Sequence, residues 1–276
     1  MAAGREPPTL AGKLSTYAHL VAAQVRSQAQ YRVSFALDIV ISALTALIDI
    51  SGVLVVFLVT PALGGFAPAE VCLMSGLAMT GFGIADLVVG NTERLRHYVR
   101  TGLFDVVLIR PLGTLPQLVA IDFAPRRVGR LTSSVVLLVV AALWADVAWT
   151  PAKIAVAVLS IASGAVLFGS LFVAGATVAF WWIESGEVAN AVTYGGETFT
   201  EYPVTIYSGW FRRLFAYALG FGFVAYYPAL VLLGRSDPLG APDFVRWLGP
   251  LVALVAATAA AALWRTGVRH YRSTGS

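Results

Sequence analysis

The 276-residue chain is 58% hydrophobic and only 12% charged, with mean hydropathy +0.77. A soluble domain carries roughly 25% charge, so the composition excludes an ordinary soluble fold and reads as a polytopic, all-α integral membrane protein. The net charge of +4 does not imply nucleic acid, because the basic residues gather beside apolar runs, as the positive-inside pattern requires. The single cysteine, Cys72, excludes an intrachain disulfide and a thiolate metal cluster.

Residues 1–33 form an amino-terminal segment without the short apolar core of a cleavable signal. From Leu14 to Tyr31 the residues Leu14, Tyr17, Ala18, Val21 and Val25 recur at three and four, which predicts an amphipathic helix in the membrane interface. A single transmembrane domain, 34–265, follows, and then a tail, 266–276. Six spans near the roughly 20 residues that a bilayer core demands are predicted at about 34–59, 70–90, 129–148, 152–180, 214–233 and 246–265. Pro61, Gly64, Gly65 and Pro68 mark the first external turn, Asp146 to Pro151 the second, and Asp237 to Asp243 the third.

Between the second and third spans lies a loop, 91–128, longer than neighbouring helices need. Arg94, Arg96, Arg100, Arg110, Arg126, Arg127 and Arg130 crowd into residues 91–130. With the amino terminus inside, sixteen of the nineteen Lys and Arg residues fall on the inner side, and only Lys153, Arg235 and Arg246 fall outside. Both termini are therefore expected in the cytoplasm. Trp144, Trp149, Trp181, Trp182, Trp247 and Trp264 stand near span ends as an interfacial belt.

The chain carries no nucleotide-binding loop: Gly12-Lys13 is followed by Leu14, and Pro7 stands where the first glycine would be. His19, His97 and His270 are far apart, and neither a His-Glu-x-x-His pair nor a Gly-x-Ser-x-Gly elbow occurs. No metal site and no catalytic residue is expected. Asp38, Asp49 and Asp86 fall within apparent spans, where an isolated charge costs about 2.5–3.5 kcal/mol on insertion scales. Asp38 is near Arg32, and Asp86 lies one or two turns from Arg94, so both read as interfacial and paired. Asp49 has no basic neighbour along its helix. It and Asp86 are the candidates for lining a translocation path, or for titrating in a proton- or ion-coupled secondary carrier, the alternative reading. A third reading is a membrane scaffold without transport. The polar connector from Ile183 to Trp210 carries Glu184, Glu187, Glu197 and Glu201. It is expected to lie on the cytoplasmic side, its carboxylates bracing the arginine loop.

Three runs carry a family resemblance: Arg100-Thr-Gly-Leu-Phe-Asp-Val-Val-Leu-Ile-Arg-Pro-Leu-Gly113, Ser185 to Glu197 with Glu201-Tyr-Pro203, and Ala225 to Arg235. They resemble the integral-membrane subunits of ABC transporters of the type-2 exporter class, over nearly the whole chain. The resemblance implies a six-span permease of a bacterial cytoplasmic membrane that pairs with a second permease, identical or related. It also implies two cytoplasmic ATPase subunits that hold the ATP and Mg, with no cofactor on this chain. The loop between spans two and three would then hold a coupling helix seated in the ATPase, involving Arg94, Arg96, Arg100, Gly102, Leu103, Phe104, Asp105, Arg110 and Pro111. The residues suit that role. Asn91 is placed to cap a helix bearing the first arginines, Gly102 to end it, and Leu103, Phe104, Val106 and Val107 to supply an apolar plug, with Pro111 and Pro116 stopping further helix. The loop Gly234 to Val245 is too short for a folded external domain.

Overall fold

In a computed structural model the described residues are 37, 40, 41, 44, 45, 48, 51–120 and 124–272. The expected interfacial helix at Leu14–Tyr31, Asp38 and Asp49 lie outside them. Among the described residues the fold is helical, and the only extended pairing is one bridge between Leu63 and Phe66.

After a helix that ends at Val56, the main elements are α1 (Pro68–Val89), α2 (Leu95–Arg100), α3 (Phe104–Leu108), α4 (Thr114–Val119), α5 (Pro125–Trp144) and α6 (Pro151–Thr177). They continue with α7 (Gly186–Glu201), α8 (Gly209–Arg212), α9 (Tyr226–Leu233) and α10 (Gly249–His270). Local chemistry sets several starts. Pro68 opens α1, and the Ala67 N–H donates to Glu70 Oε2 at 2.8 Å, satisfying a donor that no helical carbonyl can reach. Pro151 opens α6, where the Thr150 hydroxyl accepts from the Lys153 N–H at 3.3 Å.

Helix α1 is the centre of the bundle and packs against α5, α6 and α7. Glycines let the backbones approach. A β-carbon at Gly76 would fall 2.7 Å from Leu138 Cα on α5, and Gly81 meets Gly164 where α1 crosses α6. Leu73, Met74, Leu77, Phe82, Phe168, Phe221, Tyr227 and Leu230 fill the main core. Helix α10 lies along α6.

Four helices among the described residues are long and apolar enough to cross a membrane: Pro68–Arg100, Arg126–Trp144, Pro151–Phe180 and Gly249–His270. They match expected spans two, three, four and six. The expected fifth span, 214–233, is not one straight helix but a bent pair, a broken span or a re-entrant hairpin. Its two halves are bent by 61°, because a π-helix at Arg213–Ala218 runs into Gly220, whose φ of 81° is left-handed, and a single 3₁₀ turn follows. Both arms of this hairpin attach at one end of the bundle. The Thr205 hydroxyl, just before the first arm, donates to the Gly64 carbonyl at 2.8 Å. At the end of the second, Lys153 Nζ donates to the Leu232 carbonyl at 2.6 Å, and Arg235 pairs with Glu70 at 2.5 Å. The hairpin tip reaches inward, where Phe221 stacks on Phe168 at 5.8 Å.

Most of the connector Ile183–Trp210 forms α7, which runs along the bundle. It begins beside Arg96, which pairs with Glu187 at 3.6 Å, and ends where the Glu201 carbonyl accepts from Ser75 at 2.8 Å, followed by the Thr205 contact at Gly64. The bundle thus has an arginine end, holding α2 to α4, and a Gly64 end, holding the hairpin anchors.

Candidate functional site

At the arginine end, α1 gives way to a 3₁₀ turn at Gly90–Arg94 and then to α2. Gly102, with φ of 72°, follows the end of α2 in the left-handed conformation that glycine tolerates best. Asn91, expected as a helix cap, has a different place. It is buried, its Nδ2 donates to the Val119 carbonyl at 2.9 Å, and its Oδ1 accepts from Arg127 Nη1 at 2.5 Å.

The expected apolar plug divides into two faces. Phe104 and Val107 are buried within the chain's own second core, with Leu95, Val99, Leu118, Phe180 and Trp264. The Phe104 ring meets Phe180 at 5.1 Å and Tyr271 at 4.9 Å, both edge-on. Burial, and the Asp105 carboxylate beside it, push the Tyr271 phenol above its ordinary pKa. Leu103, Val106, Leu108 and Ile109 point outward, and Ile109 is 81% exposed. The turn through Arg110 and Pro111 is held from beneath. Buried Gln117 donates through Nε2 to the Val107 and Leu112 carbonyls, each at 2.9 Å. Arg94, Arg96, Arg100 and Arg110 are exposed, and Arg100 forms an ion pair with Glu184.

Further into the bundle, charge is buried in two layers. In the first, Arg127 Nε lies 2.8 Å from Asp86 Oδ1, and both side chains are almost fully buried. Gly90 leaves room for this pair, since a β-carbon there would come within 2.2 Å of Asp86 Oδ1 and force the pair to shift. In the second, one helical turn along α5, Arg130 pairs with Glu197 of α7 at 2.7 Å. Its guanidinium carbon sits 4.7 Å from the centre of the Phe82 ring on α1. Between the layers the Tyr194 hydroxyl donates to Glu93 at 3.1 Å. Asp86 was expected to neighbour Arg94 and instead meets Arg127, while Glu93, unremarked in the sequence, joins the network.

These placements separate the four glutamates of the connector. Glu184 and Glu187 meet arginines of α2 at the arginine end, Glu197 is buried within the bundle, and Glu201 lies toward the Gly64 end. Arg127 and Arg130 read in the sequence only as topogenic charges. Their spacing of three on a helix that opens with Pro125 puts them on one face, and that was the available signal. Asn91 and Gln117 gave none, because their partners are backbone carbonyls of other segments. Among the described residues no group of His, Cys, Asp and Glu is arranged to hold a metal.

The family profile described as ABC-2 family transporter protein matches residues 43–275. The chain belongs to the ABC-2 transporter family. No curated protein and no solved structure matches it. An ABC-2 permease is the membrane component of its transporter, generally non-catalytic, and works with ATPase subunits, in keeping with a chain of apolar helices. The match covers α1 to α10, so the two-faced segment at the arginine end and the two buried charge layers both fall within the family region. Asp86 is buried against Arg127 at 2.8 Å, and the family membership does not favour the secondary-carrier alternative.

Proposed function

We propose that this ABC-2 permease is the path-forming subunit of an ATP-driven exporter in a bacterial cytoplasmic membrane. It pairs with a second permease, identical or related, and two ATPase subunits that bind ATP and Mg. The observation that carries this reading is the outward row Leu103, Val106 and Ile109, apolar and exposed beside exposed arginines. The row is backed by Phe104 and Val107, which tie it to α6 and α10 through Phe180 and Trp264. An apolar ridge on a rigid base suits a groove in a partner subunit, and movement of that partner would be transmitted into the helices on which the ridge rests.

The distribution of basic residues supports an arginine end in the cytoplasm. If α7 is a crossing and 209–233 an external hairpin, Arg212 and Arg213 move to the outside, and fourteen of the nineteen basic residues remain inside. With the first span expected from the sequence at 34–59, the chain then crosses six times. The test is purification in mild detergent from cells expressing the chain with its ATPase. An intact complex whose hydrolysis needs the permease is the expected result. A chain that purifies alone and transports in proteoliposomes under a proton gradient without ATP would overturn the reading.

A further inference from the structure

Arg130 is 35% exposed along its side chain, whereas its partner Glu197 is 5% exposed. Glu197 lies eleven residues along α7 from Gly186, about 16 Å from the arginine end at 1.5 Å per residue. A charge at such depth cannot face hydrocarbon without large cost, so it must face protein or water. The neighbouring surface agrees. On α7 the residues Ala191, Gly195 and Thr198 form an exposed strip of small or polar side chains, and a β-carbon at Gly195 would meet nothing within 4 Å. On α5, Arg126 sits one turn before Arg130 on the same face and is exposed.

The charges on this face are sorted by depth. The carboxylates lie behind: Asp86 is buried on Arg127, Glu197 on Arg130, and half-buried Glu93 takes the Tyr194 hydroxyl. The guanidinium groups of Arg126 and Arg130 stand in front. The Phe82 ring beneath Arg130, at 4.7 Å, holds the guanidinium plane in place. Only one of its nitrogens, Nη2, is engaged with Glu197, and a guanidinium has five N–H donors in all.

We infer that the α5–α7 face lines the translocation path and that Arg130 is its cargo contact, for a cargo carrying an oxyanion such as a carboxylate, sulfate or phosphate. A guanidinium matches such a group in a paired geometry that a point charge does not. The inference rests on the permease reading for the word cargo, but not for the water-filled, positively charged face.

The test uses the full complex in lipid nanodiscs, with buried Cys72 changed to Ala and Thr198→Cys as reporter. Reaction with the anionic sulfonatoethyl methanethiosulfonate is compared with that of the cationic trimethylammonioethyl reagent. The anionic reagent is expected to react about fivefold faster after each rate is normalised to a free thiol, as one nearby charge in a wet environment would give. Arg130→Gln should abolish or reverse that preference. Should this single change fail to fold, the pair Arg130→Gln with Glu197→Gln keeps a neutral hydrogen bond and should abolish it. Failure of both reagents to react in a folded complex would mean that lipid or protein closes the face, and equal rates would mean that it carries no positive field; either overturns the inference. A charge-selective reaction in a chain that retains no ATPase would leave the face standing and remove the permease reading instead.

Discussion

The Phe221 ring sits against the backbone of Gly196, so close that a β-carbon there would come within 2.1 Å of the ring Cζ. This contact seats the hairpin tip on α7, with Phe215 and Phe168 stacked on the same ring and Phe199 tilted against it. Gly196→Val should therefore displace the hairpin, destabilising the chain by about 1–3 kcal/mol as overpacking does. Thermal unfolding in detergent would show it. Gly195→Val, next to it but facing open space, should change the midpoint little, and equal effects at both positions would refute the seating.

The buried and exposed sides of the segment 103–109 should respond differently. Phe104→Ala removes a fully buried ring and should cost about 3–5 kcal/mol of stability. Ile109→Asp alters a side chain that is 81% exposed and should leave the melting temperature nearly unchanged while weakening retention of the ATPase by tenfold or more, on the order of 1.4 kcal/mol. Melting curves and pull-down measured on the same preparations separate the two. An Ile109→Asp chain that holds its ATPase normally would remove the ridge from the contact.

Asp86 and Arg127 should behave as a buried pair. Asp86→Leu or Arg127→Met alone leaves one uncompensated charge and should cost about 3–5 kcal/mol, whereas the double substitution should recover much of that loss. A double-mutant cycle on unfolding gives the coupling directly. Additive losses would mean that the 2.8 Å approach carries no energetic weight.

Helix α7 predicts a sidedness. Arg96→Cys and Ser208→Cys, both at exposed positions, should react with a membrane-impermeant maleimide from opposite sides, as measured in spheroplasts and inverted vesicles. Reaction of both from one side would mean that α7 does not cross.

The sequence made α1, α5, α6 and α10 plain because each is apolar over a bilayer's length. Helix α7 is hard to read from the sequence for a physical reason. Glu187, Asn190, Thr193, Glu197 and Thr198 lower its hydropathy, and its charge at depth is compensated by Arg130 on α5, a contact across 67 positions that no window of sequence contains. The bent pair misleads in the opposite direction, by hiding its break. Phe215 to Leu233 is apolar enough for a span, and what turns it back is the left-handed backbone at Gly220, a conformation that one glycine permits without announcing it. At the candidate site the arginines, Gly102 and the apolar run of α3 were visible in advance. Which apolar residues turn inward was not, since that depends on Phe180, Trp264 and Tyr271 arriving from the far end of the chain.

The folded-back hairpin also governs how the chain can change over time. On the proposed topology, a segment that enters and leaves at one end of the bundle adds nothing to the parity of crossings, so its largely exposed start, 209–214, can lengthen or shorten while α10 keeps its direction. On the same topology α7 has no such freedom: losing it would invert α10 and carry the Tyr271 edge of the Phe104 pocket to the wrong face of the membrane. Natural variation in length should therefore collect in the hairpin and spare the helix before it.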